Sequence, residues 1–173
     1  MQLTRAADYA VRVTMYLAAL PQGEHVARSV LATANDVPDS FLSKILQALS
    51  RAGLLVSRRG LEGGFALLPR GRQASLLEVI EAVDGPIALN ICLTTGLGCQ
   101  NRPHCPAHLV WVEAQEAMLR VLRGAKIAAL SAHNLSPVRS GSKQSNRATV
   151  PKLVKIGSNT TISNSRSKIG PHR

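Results

Sequence analysis

Residues 26–68 read VARSVLATANDVPDSFLSKILQALSRAGLLVSRRGLEGGFALL, and the fold turns on how this stretch divides. Leu42, Ile45, Leu46 and Leu49 recur at i, i+3, i+4 and i+7, a spacing that gathers apolar side chains on one face of a helix. Pro38 suits the first position of that helix, and Gly53 suits the left-handed residue that closes it. The opposite face carries Ser40, Ser43, Lys44, Gln47 and Arg51. Ahead of it, residues 26–34 predict a short helix with Val26, Val30 and Leu31 inward, and Asn35-Asp36-Val37 reads as a turn. Two helices joined by a tight turn, the second polar on its outer face, make the helix-turn-helix pattern.

Residues 54–58 and 64–68 are apolar and predict two strands, with Arg59-Gly60-Leu61-Glu62-Gly63-Gly64 as the hairpin tip. A basic hairpin directly after such a helix pair reads as a wing. The expected fold is therefore mainly α with a small β-hairpin: a winged helix-turn-helix domain plus a long dimerisation helix.

Upstream, Thr4 is the expected N-cap of a first helix, and Asp8 lies where a carboxylate suits the helix dipole. Tyr9, Val13, Tyr16, Leu17 and Leu20 keep helical spacing until Pro21. Downstream, Ser75-Leu76-Leu77-Glu78 is a capping box that starts a helix ending near Asp84-Gly85-Pro86. Residues 86–106 read as a loop. From Ala107 a longer helix begins, in which Val110, Ala114, Ala117 and Val121 form a seam widened by Trp111, Met118 and Leu122. That is more apolar face than one short helix needs, which points to a partner subunit. Gly124 interrupts it, and residues 126–130 add one more turn. From about residue 132 Ser, Asn, Lys, Arg and Gly dominate, so the tail is expected to be disordered. The expected divisions are residues 1–84 for the DNA-binding domain, 85–106 for the cysteine loop, 107–131 for the dimerisation helix and 132–173 for the basic tail.

The formal charge of +11 exaggerates the basic character of the folded part. Of the 21 Lys and Arg residues, 13 lie in residues 1–132 together with all 10 acidic ones, a net of +3. DNA binding must therefore rest on where charges lie. Aromatics are only 3% of the chain, so the core is built from aliphatic side chains and favours helices. The longest apolar run, residues 13–20, is too short to span a membrane, and the charged start does not read as a signal peptide. The expected compartment is the cytoplasm.

All 3 cysteines fall within residues 92–105, spaced Cys92-x6-Cys99-x5-Cys105. An odd number so grouped does not suit a disulfide framework. Thiolates in one loop suit a soft metal centre, iron–sulfur or zinc, although zinc ligands usually come in Cys-x2–4-Cys pairs. A fourth ligand could be His108, three residues beyond Cys105, or Asp8 reaching across a dimer; His104 is too close to Cys105 to share one ion. No Ser-His-Asp order, phosphate loop or paired carboxylate site suggests an enzyme, and Glu113 and Glu116 read as the polar face of the long helix.

MQLTRAADYAVR at the start, LSKILQALSRAGLL, SRRGLEGGFAL, SLLEVIEAVDG and the three cysteines, in this order, resemble the winged helix-turn-helix iron–sulfur regulators that include IscR, NsrR and RirA. The resemblance covers residues 1–130. It implies a non-enzymatic homodimer on palindromic double-stranded DNA, away from membranes, whose promoter affinity follows an iron–sulfur cluster sensing nitric oxide, iron or redox state. Cys92, Cys99 and Cys105 correspond to the family's three ligands. The IscR type adds a histidine, here His108, and a [2Fe-2S] cluster; some NsrR members add an aspartate, here Asp8 of the other subunit, and a [4Fe-4S] cluster. The start of the chain and the wider Cys92–Cys99 step lean toward [4Fe-4S]. In the family's arrangement Asp39, Ser40, Phe41, Ser43 and Lys44 read base edges. Gln47 and Arg51 flank them, and Arg58, Arg59, Gly60 and Gly63 of the wing approach the phosphates. The rival reading is a helix-turn-helix regulator using zinc or thiol oxidation without iron.

Overall fold

The computed structural model describes residues 3–60, 63–94 and 99–132, all within one unit, Met1–Pro137. The expected basic tail, apart from Ala132, and the wing-tip residues Leu61 and Glu62 lie outside the described residues.

Helix α1 spans Arg5–Ala19, with the Thr4 side chain accepting from the Ala7 N–H as its N-cap. The Thr4 hydroxyl donates to the Asp84 carboxylate at 2.7 Å, which ties this cap to the end of α5. The face that α1 buries is smaller than its large side chains suggested. Ala7, Ala10, Val13, Thr14, Leu17 and Ala18 are buried, whereas Tyr9 and Tyr16 are only half-covered. Small residues let neighbouring helices approach on several sides, and α1 is packed against α2, α3, α5, α7 and β2. Thr14 satisfies its hydroxyl on the Ala10 carbonyl at 2.7 Å and so is buried without cost.

Helix α2 spans Arg28–Asn35 and α3 spans Asp39–Arg51. Asp36 closes α2 in the left-handed region at φ 51°, a conformation that Asp tolerates better than most residues. The Val37 N–H then reaches back to the Ala32 carbonyl at 3.0 Å, which makes the turn tight. Pro38 is the N-cap of α3 and not its first helical residue; its extended ψ of 137° sets the entry into the helix. Leu42, Ile45, Leu46 and Leu49 are all buried, at most 1% exposed, in a core shared with Val13, Leu17, Leu31, Val37, Leu54 and Val79. Each such side chain contributes about 1.5–3 kcal/mol by leaving water.

Strands β1 (Leu55–Arg58) and β2 (Gly64–Leu67) pair antiparallel with Leu55 opposite Leu67 and Arg58 opposite Gly64. A bridge between Val26 and Phe65 adds the segment before α2 to this hairpin, with N–H···O distances of 2.9 and 3.0 Å. Helix α4 (Pro69–Gln73) is an element that sequence spacing did not signal. It places the half-buried Arg72 at the end of α1, where its guanidinium donates to the Ala18 carbonyl at 2.7 Å and to that of Leu20. A cation there also suits the helix dipole.

Helix α5 (Leu76–Asp84) starts with the expected capping box. The Ser75 N–H and hydroxyl both donate to Glu78 Oε2, at 2.8 and 2.9 Å. Residues expected to form a plain loop include two 3-10 turns, Ile91–Leu93 and Arg102–His104. Helix α6 spans Ala107–Gly124, and the chain then turns so that α7 (Ile127–Ala132) packs back onto α1 and α4. Ile127 is fully buried, and its N–H donates to the Ala74 carbonyl at 3.0 Å.

Leu42→Ala should cost about 2–5 kcal/mol in chemical denaturation, because a rigid four-helix junction cannot close over the cavity. Hydrogen bonds from the Ser75 backbone and hydroxyl, aided by Lys126 and Arg70, hold the Glu78 carboxyl below its ordinary value. That stabilisation is present above the unfolded carboxylate range, about 4.3, and is lost as pH falls through the depressed folded value. With the Glu78 side chain 45% exposed the effect is modest. The acid arm of a urea-midpoint profile should therefore be slightly shallower in Glu78→Gln.

Candidate nucleic-acid interface and cysteine loop

The burial of the α3 stripe dictates what the helix shows to solvent. Asp39, Ser40, Phe41, Ser43, Lys44, Gln47 and Arg51 are all exposed. They form one polar face beginning at the first turn. Within it, Phe41 is 42% exposed and meets Tyr9 of α1 edge-to-face, with ring centroids 5.9 Å apart. Arg12 lies over the same Tyr9 ring at 5.7 Å. Phe41 thus has a packing role whatever it contacts outside the chain. The Ser43 hydroxyl is also engaged, donating to the Asp39 carbonyl at 3.2 Å.

A residue that sequence spacing did not single out joins this face. Arg28, the first residue of α2, donates to Ser43 Oγ at 3.0 Å and pairs with Asp39 Oδ2 at 3.0 Å. Fifteen residues separate Arg28 from Ser43, so only the folded turn brings them together.

The wing stands beside α3. Arg58, Arg59 and Gly60 are exposed, and Gly63 is half-covered. The Gly63 N–H donates to the Gly60 carbonyl at 2.9 Å, which draws the tip together. At Gly63 a Cβ would collide with the carbonyl oxygens of Arg58 and Gly60. At Gly64, φ is 151° and a Cβ would collide with the Val26 carbonyl. Glycine is needed here because the hairpin and the strand-like segment at Val26 approach so closely.

The cysteines follow α5 in the chain. Cys92 is buried, and Cys99 and Cys105 are half-buried; all three are free thiols. Residues 95–98 between them lie outside the described residues. The loop is held to α6 by Gln115, whose Oε1 accepts from the Leu89 N–H at 3.0 Å. His108 follows Cys105 in the first turn of α6, its N–H donating to the Cys105 carbonyl at 3.0 Å. Its Nε2 accepts from Arg102 Nε at 3.3 Å, while its Nδ1 is buried without a partner. Asp8 is exposed on α1, and its carboxylate is engaged by Arg12 at 2.6 Å. Among the described residues no three Cys, His, Asp or Glu side chains are gathered as a metal ion requires. The donor types themselves, three thiols in one loop and a histidine three residues after Cys105 with a buried unpartnered Nδ1, are chemically suited to a soft metal centre.

Helix α6 faces two ways. Met118, Leu119 and Leu122 pack on Leu77, Ile80 and Ile87. The seam residues Val110 and Val121 are 63% and 71% exposed, Leu109 is 75% exposed, and none of α6 is buried. Among the described residues no helix is long and apolar enough to cross a membrane.

A tight helix pair with a polar second helix and a flanking hairpin defines a winged-helix DNA-binding protein. Residues 3–133 match the Rrf2 family, described as "Iron-dependent Transcriptional regulator". The chain is 36% identical over 126 residues to protein aau3 of Rhizobium meliloti, covering 72% of this chain and 80% of that protein. It is 33% identical over 123 residues to the HTH-type transcriptional regulator NsrR of Geobacillus kaustophilus, covering 70% and 84%. In fold it is similar to CymR, the global cysteine regulator of B. subtilis, with a TM-score of 0.61 at 21% identity over 78% of this chain and 98% of that one. The chain belongs to the Rrf2 family. It is a DNA-binding transcriptional regulator and not an enzyme.

Replacing Gly64 by Ala should force β2 away from Val26, lowering the melting temperature and weakening DNA binding together. A binding defect with unchanged melting would contradict the steric account.

Proposed function

We propose that the chain is a homodimeric regulator that reads a palindromic DNA site and whose affinity is set by an iron–sulfur cluster. Helix α3 enters the major groove through Asp39, Ser40, Phe41, Ser43 and Lys44, with Gln47 and Arg51 flanking. Arg58, Arg59, Gly60 and Gly63 bring the wing to the backbone, where Arg can use a narrow minor groove. Double-headed binding follows from α6. Its seam of Val110, Ala114, Ala117 and Val121 is wholly exposed, and a second copy of the helix covers it.

The observation that carries the cluster reading is that all three cysteines fall within residues 92–105, followed by His108, whose Nδ1 is buried and unpartnered. Cys92, Cys99 and Cys105 would hold the group, with His108 as fourth ligand. This choice departs from the lean toward Asp8 and [4Fe-4S] that the resemblance gave, because the His108 Nδ1 is buried without a partner. The family description names iron, which supports the reading. When bound, the group supplies a redox-sensitive cross-link between the loop and α6. The chain's own part is to anchor that loop through Gln115 and to pass its position to the dimer helix.

Anaerobic purification with iron and sulfide analysis tests this. Coloured, iron-containing protein is expected, with His108→Ala losing iron and Asp8→Ala retaining it; the reverse pattern selects Asp8. Colourless, iron-free protein that still regulates leaves the zinc or thiol-oxidation reading. That rival is kept in view because CymR, similar in fold, is described by cysteine and not by iron. Val110→Glu with Val121→Glu should yield monomers in sedimentation and lower DNA affinity at least tenfold, since a monomer keeps only one half-site.

A further inference from the structure

Asp39 is under two opposed demands. As the first residue of α3 its carboxylate suits the positive end of the helix dipole. The same position is the part of a recognition helix that enters the groove between the phosphates, whose negative field disfavours a carboxylate. Arg28 answers both. Its Nη2 lies 3.0 Å from Asp39 Oδ2, and its Nη1 donates to Ser43 Oγ at 3.0 Å. Ser43 in turn donates to the Asp39 carbonyl at 3.2 Å, so the three residues close a ring across the helix-turn-helix. Arginine suits this place because its planar fork presents two donor groups in fixed geometry.

The backbone that carries Arg28 is itself held in place. Arg28 lies two residues after Val26, which is hydrogen-bonded in both directions to Phe65 of the wing. Wing, α2 and the first turn of α3 therefore share one anchor. We infer that Arg28 is a positioning residue for DNA reading: it screens the Asp39 carboxylate from the duplex and fixes Ser43 at the first turn of α3. This rests on the proposed use of α3 as the reading face. Arg28 and Asp39 are 51% and 59% exposed, so the pair contributes little to folding, and its removal is a clean test.

The experiment is a double-mutant cycle on the full chain. The probe is a duplex recovered from a randomised library by the wild-type protein. Arg28→Ala should weaken binding about tenfold, and Asp39→Asn in that background should recover most of the loss. Asp39→Asn in the wild-type background should gain several-fold less, a coupling of the size seen between charges in contact. Arg28→Lys, which keeps the charge but not the fork, should fall between. Melting temperatures of all variants should stay near wild type. Equal gains from Asp39→Asn in both backgrounds would make Arg28 an independent phosphate contact and overturn the inference. Lys44→Ala and Arg51→Ala in the same assay separate the two levels. If they bind as wild type does, the α3 reading fails and the inference with it; if they weaken while the cycle is additive, only the inference fails.

Discussion

The burial of Leu42, Ile45, Leu46 and Leu49 against α1 is the contact on which the rest depends. Four large aliphatic side chains on one face of thirteen residues leave no freedom in how α3 is rotated. Once they face inward, the serines, Lys44, Gln47 and Arg51 must face outward. Their combined burial is of the same order as the whole net stability of a small domain, about 5–15 kcal/mol. The outward polar face of α3 is thus a by-product of core packing, and its orientation is as fixed as that packing.

Helix α1 serves as the common floor. Its buried face is mostly alanine with Val13, Thr14 and Leu17, so α3, α5 and α7 can each lie close to it. Arg72 secures its C-terminal end through the carbonyls of Ala18 and Leu20, and the Thr4 hydroxyl ties its N-terminal end to Asp84. On its outer side Tyr9 connects Arg12, the partner of Asp8, to Phe41 at the head of α3. Helix α1 therefore carries Asp8 and also meets the first turn of α3.

The cysteine loop is built differently. Cys92 is buried, Gln115 holds the backbone at Leu89, and His108 is fixed by its place in the first turn of α6. The loop leads directly into α6, whose outer seam is exposed.

Period and punctuation determined much of this in advance. The four-residue apolar stripe, the turn at Asn35-Asp36-Val37, the capping box at Ser75 and the hairpin with its glycine-rich tip are local signals, and local hydrogen bonds and burial enforce them. The bounds of the wing's strands, within a residue of expectation, followed for the same reason. The metal-ligand candidates were legible because reactive residue types are rare and were crowded into one segment. What only the tertiary structure decided were contacts between residues distant in sequence. Arg28 meeting Asp39 and Ser43, Arg72 closing α1, and α7 returning to α1 leave no periodic trace, because each needs the backbone to have folded first. The pairing of Asp8 with Arg12 and the contact of Arg102 with His108 are likewise side-chain geometry that only the folded backbone sets.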